Sequence, residues 1–356
     1  MKHLILIPAF LFSIYPQAQI QVVLPQTAKG IVVDSKDNVI VRIFARNSIM
    51  KISPDGKTSY VTEDMRKGFN KPPYPMGDIM AIDAKDNIYL IGGATIWKIT
   101  PEGKVNLFAG MPYNSSKSLD GIDGPISTTQ FRHIEFIEAD RKGNIYVAER
   151  DDTNKDNLGV YFVIRKISTD GMVSTLLNTR ENAALKTNWI SGMGVDSVGN
   201  IYLSDGNGRC IKKLATDGKI TTLAGLCNKR QFHPFYITGD ISKAELMSPE
   251  DILINKKGEI IFTDGRLHRI IKIANNKVTT IAGNSLIQPN SLNMGGRAQE
   301  GYKDGKALTA LFNFPLGCDM AIDSKQNIYV IDGGNDCIRK LSADGMVTTF
   351  AIRKKN

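Results

Sequence analysis

Four places in this 356-residue sequence put carboxylates immediately before a recurring apolar phrase. They are Asp78, Glu135, the pair Glu250-Asp251, and Asp319, where the other copies of the phrase carry Gly or a neutral residue. Carboxylates gathered from separate segments can chelate a hard cation, Ca²⁺ or another divalent ion, or hold an amine. His133 stands two residues from Glu135 and adds an acid–base group beside it. The competing reading is structural, since charges at strand ends keep sheet edges soluble, and these acids fall at two slightly different registers.

Other reactive residues are sparse. His3, His133, His233 and His268 hold non-equivalent places along the phrase, so their spacing supports no three-histidine zinc site. No Gly-x-Ser-x-Gly elbow and no phosphate-cradling Gly-rich loop is present. Long excursions at 110–130, 226–244 and 283–311 carry Tyr113, Phe232, Phe235, Tyr236 and Tyr302. Aromatic groups on loops suit sugars, peptides or a protein partner, or else serve as anchors packed over the framework.

Those residues are positioned by a repeated unit. Ala81-Ile82-Asp83 with Asn87-Ile88-Tyr89 returns as Glu138-Ala139-Asp140 with Asn144-Ile145-Tyr146. It returns again as Gly194-Val195-Asp196 with Asn200-Ile201-Tyr202, and as Ala321-Ile322-Asp323 with Asn327-Ile328-Tyr329. Looser copies begin at Ile31 and at Leu253. Each unit reads as four short strands, with an Asp-Gly hairpin such as Asp217-Gly218 between the third and fourth and Asn276-Lys277 as the outlier. Six such units predict an all-β six-bladed β-propeller of four-stranded antiparallel blades. Its repeats fall at approximately 28–63, 76–110, 131–178, 189–225, 247–283 and 314–352. The segment Ile20 to Leu24 is able to lend a strand to the last blade. In such a ring the first strand is innermost, which puts the acids near one mouth of the channel, beside the long inter-blade linkers.

The repeated polar residues read as scaffold. Asp ends the first strand in five units, and Lys51, Lys98, Lys166, Lys213, Lys272 and Lys340 recur on the third strand. A catalytic site is asymmetric, so residues repeated around a ring are expected to tie each blade internally, Asp in a turn and Lys along a strand face. The four cysteines suggest two disulfides, Cys210–Cys227 and Cys318–Cys337. The first joins the start of a third strand to the end of the fourth, and the second must cross an intervening strand.

Several phrases resemble NHL repeats: Gly199-Asn200-Ile201-Tyr202-Leu203-Ser204-Asp205, Ile338-Arg339-Lys340-Leu341-Ser342, and Val278-Thr279-Thr280-Ile281-Ala282-Gly283. The linkers Tyr302-Lys303-Asp304-Gly305 with Phe312-Asn313-Phe314-Pro315, and Asp123-Gly124 with Phe131, fit the same pattern. The resemblance spans about residues 25 to 352 and implies a propeller serving as a ligand-binding module, an interaction scaffold or, in some members, an enzyme. The similarity to six-bladed lactonases implies a metal-dependent hydrolase or lyase as the alternative, with Glu135, Asp251, Asp319 and Asp78 as ligands and His133 as the acid–base group. Amidating lyases of the NHL type hold zinc with histidines, and no matching set is found here.

Lys2, the apolar run Leu4 to Phe12 and Pro16-Gln17-Ala18-Gln19 have the layout of a cleavable signal peptide over 1–19, which leaves 20–356 as the propeller. No later stretch is long and apolar enough to span a membrane. Hydrophobic and charged fractions of 42% and 23% are those of a globular chain. A net charge of +9 scattered among strands, without an aromatic–basic stripe, gives no sign of nucleic-acid binding. The sequence thus predicts a secreted or periplasmic monomer that binds a glycan, peptide or protein partner without catalysis.

Overall fold

The computed structural model describes residues 22–67, 69, 75, 77–111, 122–151, 161–180, 189–227, 238–284, 299–314 and 318–354. Runs of Val, Ile, Leu and Tyr, too short for stable helices and broken by Gly, Asp and Asn, form six antiparallel blades. Blade one comprises Ala28–Val33, Val39–Ile43, Ser48–Ile52 and Thr58–Thr62, and blade two Met80–Ile82, Ile88–Ile91, Ile96–Ile99 and Val105–Ala109. Blade three comprises His133–Ala139, Ile145–Asp151, Tyr161–Ile167 and Met172–Asn178, and blade four Ile190–Val195, Ile201–Asp205, Cys210–Leu214 and Ile220–Gly225. Blade five comprises Pro249–Ile254, Ile260–Asp264, Arg269–Ala274 and Lys277–Ala282. Blade six comprises Met320–Ile322, Ile328–Asp332, Cys337–Leu341 and Met346–Arg353. The chain is a six-bladed β-propeller.

Burial explains why the blades stand in a ring. Second strands such as Ile201–Asp205 are buried along their whole length, because both faces of each sheet are covered by neighbours. Among the described residues, the apolar side chains accordingly collect into six large clusters, each between two adjacent blades, and one small pair, Met247 with Leu267. One of the six joins Ile31, Val41 and Met50 of blade one to Tyr329, Ile331 and Ile338 of blade six. Val22–Leu24 completes the closure by pairing in parallel with Ala351–Arg353, as a further strand outside the four of blade six.

The repeated polar residues form the internal tie expected of them. In blade six, Asp323 Oδ1 accepts the backbone N–H groups of Lys325 and Asn327. Its Oδ2 accepts the Asn327 side-chain amide at 2.6 Å and the Tyr329 hydroxyl at 3.3 Å. The Lys340 ammonium lies 5.5 Å from the centroid of the same tyrosine ring. Blades two, three and four repeat the arrangement. Blade five replaces it with an ion pair, Lys272 Nζ to Glu259 Oε1 at 3.2 Å. Its hairpin turns on Asn275 and Asn276, one residue earlier than the sequence suggests, and both take positive φ (50° and 57°). Asparagine tolerates the left-handed region that such a two-residue turn requires.

Cys210 and Cys227 are bonded, with Cα atoms 5.2 Å apart, because Cys210 lies opposite Gly225 in the ladder and Cys227 follows two residues on. The expected Cys318–Cys337 bond is not formed, and both thiols are buried and free. Cys337 sits between Asp332 and Ile352 in its ladders. Cys318 instead turns into the interface with blade five, where its Sγ lies 3.5 Å from Glu250 Oε2. The strand Ile328–Asp332 keeps the two apart.

Blades three and six are locked to the linkers that precede them by fully buried arginines. The Arg339 guanidinium pairs with Asp332 Oδ2 at 2.9 Å and with Asp304, and donates to the carbonyls of Lys303 and Leu311. Arg165 does the same with Glu149, Asp123, Ile122 and Gln130. Removing one member of a buried pair strands the other charge, at a cost of about 3–5 kcal/mol. Arg339→Ala is expected to lower stability by about that amount in denaturant unfolding. A loss below about 1 kcal/mol would show that the clamp contributes little.

Candidate functional site

The first strands of the six blades surround a channel, and within it lies a cavity of about 260 Å³. Its lining mixes aliphatic side chains, Ile31, Met80, Ile82, Val195 and Ile252 among them, with charged and polar groups. Asp319 stands at its inner end, Glu138 lies two strand positions nearer the turns, and Arg141, Ser197 and Lys256 lie in the turns at the outer end. Those turns also line a shallower depression, so the cavity faces the side of the ring that carries the short turns. Each blade's chain passes to the next on the opposite side of the ring.

Strand geometry sets this polarity. Each innermost strand runs from the linker side to the turn side, and positions four before the turn Asp or Asn fall deep in the channel. Asp251 and Asp319 share that position on neighbouring blades, whereas Asp78, Glu135 and Glu250 stand one residue earlier. Asp251 Oδ2 accepts the backbone N–H of Met320 at 2.7 Å, joining blade five to blade six. Asp319 Oδ2 accepts the N–H of Ile31 at 2.9 Å, joining blade six to blade one. Its Oδ1 accepts the Met320 N–H at 3.0 Å. These N–H groups belong to innermost strands, whose channel-facing edge has no further strand to pair with.

Crowding of acids perturbs their ionisation. Burial raises the pKa of Asp319 well above the usual carboxylate range, and the nearby charges of Asp251 and Glu138 add to it. Burial also raises Asp251, to about 6, against hydrogen bonds from Met320 and Asp319. Glu138 is raised well above its ordinary value by burial and then by Asp251 across the channel. Parts of all three side chains still face the lumen.

The remaining sequence-predicted residues do not join this group. Glu135 is engaged on its own blade by Arg150 Nη1 at 2.6 Å and by His133 Nε2 at 3.6 Å, with the His133 side chain half exposed. Asp78 belongs to blade two and has Oδ1 without a hydrogen-bond partner; burial raises its pKa, tempered by Arg42 of blade one and by Lys29. Glu250 is buried against Cys318, and its carbonyl accepts the Ser204 hydroxyl of blade four. Among the described residues, no three His, Cys, Asp or Glu side chains gather in a metal-holding arrangement. Tyr302 is half exposed, but its hydroxyl lies 2.7 Å from Thr349 Oγ1 and its ring stacks 5.0 Å from the Arg339 guanidinium, as an anchor does. Tyr113, Phe232, Phe235 and Tyr236 lie outside the described residues, as does His233.

Glu138 is the site residue that the sequence reading passed over. The corresponding positions are Val32, Ala81, Gly194, Leu253 and Ala321, so a glutamate within this apolar series was the available signal. Arg141 and Lys256 stand in turns, where a lone cation carries no signal in sequence.

No protein-family model matches the sequence, and no curated protein matches it. Among solved structures, the chain is similar to a structural genomics protein of unknown function from Bacteroides thetaiotaomicron. That likeness has 19% identity and a TM-score of 0.61, and covers 91% of this chain and 70% of the other. An auxiliary nutrient binding protein from the same organism has 15% identity and a TM-score of 0.58, with 91% and 69% covered. Virginiamycin B lyase from Staphylococcus aureus has 14% identity and a TM-score of 0.51, with 93% and 86% covered. At these identities the shared property is the propeller fold.

The raised pKa values have a definite sign in stability. The folded state holds protons that the unfolded chain, with carboxyls near their ordinary values of about 4, releases first. Stability from Asp251 and Asp319 is therefore fully present below about pH 4 and is lost as pH rises through 6 and beyond. Asp319→Asn keeps an acceptor for Ile31 without the charge. It is expected to raise stability at pH 8 relative to the parent protein and to flatten the fall in stability with rising pH. A variant equally destabilised at pH 5 and pH 8 would show that both carboxyls are ionised throughout.

Proposed function

We propose that this chain is an exported, non-catalytic propeller of the NHL-repeat type. It binds a small polar ligand, or the end of a glycan or peptide, in its central channel. The observation that carries this reading is the cavity itself. It combines aliphatic side chains with the charged groups Glu138, Arg141 and Lys256 in one preformed concavity, the pattern of a ligand site. The nutrient binding neighbour points the same way at the level of fold. Export is supported by the Cys210–Cys227 disulfide and by the N-terminal sequence pattern, which lies outside the described residues. No helix among the described residues is long and apolar enough to cross a membrane.

The alternative is a metal-assisted hydrolase or lyase, favoured by the approach of His133 to Glu135 and by the lyase among the fold neighbours. The residues present do not make a convincing chelate. Asp251 and Asp319 are committed to backbone N–H groups, and Glu135 to Arg150. A divalent ion held near the channel after purification, measured by metal analysis, would favour the enzyme.

A thermal-shift panel of monosaccharides, amino acids and short peptides tests the binding reading. A ligand at a hundred times its Kd adds about 2.7 kcal/mol to stability. Ser197→Trp narrows the outer end of the cavity at an exposed turn position and is expected to abolish that shift while leaving the unliganded midpoint in place. A ligand that stabilises Ser197→Trp as well as the parent protein binds elsewhere, and the channel reading then fails.

A further inference from the structure

Building on the channel as the binding seat, we infer that its occupant is a short peptide with both termini free. It lies with its ammonium at Glu138 and its carboxylate between Arg141 and Lys256. The cavity lining contains no Phe, Tyr, Trp or His. A sugar ring presents an apolar C–H face that binding sites meet with an aromatic ring, and this lining supplies none. Its aliphatic side chains suit the Cα and side-chain carbons of a peptide.

The polar groups of the lining divide into those already used and those still available. Asp140 and Asp196 are consumed by their own turns, accepting the Asn144 and Asn200 amides and the Tyr146 and Tyr202 hydroxyls. Asp319 is consumed by the Ile31 and Met320 N–H groups. Glu138 has the N–H of its neighbour Ala139 beside its carboxyl and is repelled by Asp251. An ammonium placed there relieves that repulsion. At the other end Arg141 and Lys256 are exposed cations on blades three and five, flanking blade four.

The opposite charges at the two ends specify a zwitterion, and the spacing specifies its length. Glu138 and Arg141 are three residues apart along one strand and its turn, roughly 10 Å of backbone. An extended peptide advances roughly 3.3–3.6 Å per residue, so two or three residues span the distance. A single amino acid is too short to reach both ends. A lone amine leaves the two cations without a counter-charge, and a lone acid leaves the repulsion at Glu138 in place.

Calorimetric titration with trialanine, N-acetyl-trialanine, trialanine amide and glucose tests this on the full chain, its Glu138→Gln variant and its Arg141→Ala/Lys256→Ala variant. Circular dichroism and the thermal midpoint establish that each variant is folded. Trialanine is expected to bind the parent protein, with acetylation and amidation each weakening it tenfold or more. In Glu138→Gln the acetyl penalty disappears while the amide penalty stays, and in the double variant the reverse holds. Equal binding of the free, acetylated and amidated peptides overturns the inference, as does a failure of trialanine to bind. Binding of glucose alone, lost in Ser197→Trp, overturns the peptide while leaving the channel as the binding seat. Glucose binding that survives Ser197→Trp overturns both.

Discussion

A closed ring of blades leaves one row of backbone groups unsatisfied. The innermost strand of each blade pairs outward with its second strand, and its other edge faces the channel with no strand to meet it. Where blades five, six and one meet, carboxylates meet this need: Asp251 receives Met320 N–H and Asp319 receives Ile31 N–H. Elsewhere the blades approach backbone to backbone. A side chain at Gly30 or Gly192 would run into the carbonyl of the next blade, at 2.0 Å and 2.2 Å respectively. Close approach and carboxylate capping are two answers to the same constraint, and together they set the width of the channel.

That constraint separates framework from function. The Asp, Asn, Tyr and Lys repeated around the ring satisfy one another within each blade, so little of their chemistry is left for a ligand. Asp251 and Asp319, which looked in sequence like a chelating pair, are drawn into closing the ring. Glu138, on the opposite arc, lines the cavity and, among the described residues, receives no N–H of a neighbouring blade. The acid that serves least in holding the structure is therefore the one best placed to serve a ligand.

The parts of this architecture that rest on local chemistry were legible in the sequence. Strand periodicity, the Asp-Gly hairpins and the Cys210–Cys227 bond depend on residues adjacent in chain or ladder. Relations across blades were not legible. Nothing in the spacing of Asp319 says that its carboxyl reaches Ile31, which is 288 residues away. Cys318 and Cys337 belong to one repeat, yet tertiary packing directs Cys318 to Glu250 of the preceding blade. Glu138 was hidden because it sits within a strand whose other residues are apolar, where a lone charge reads as an irregularity.

Native-state hydrogen exchange at the Met320 and Ile31 amides tests most directly whether carboxylates close the ring. Both amides lie on a channel edge that no strand covers, and water in the channel reaches an uncapped edge. The account predicts protection comparable with the ladder amides of Ile328–Asp332, falling for Ile31 when Asp319 is replaced by Ala. Exchange of both amides at the rate of an open edge in the parent protein would contradict it.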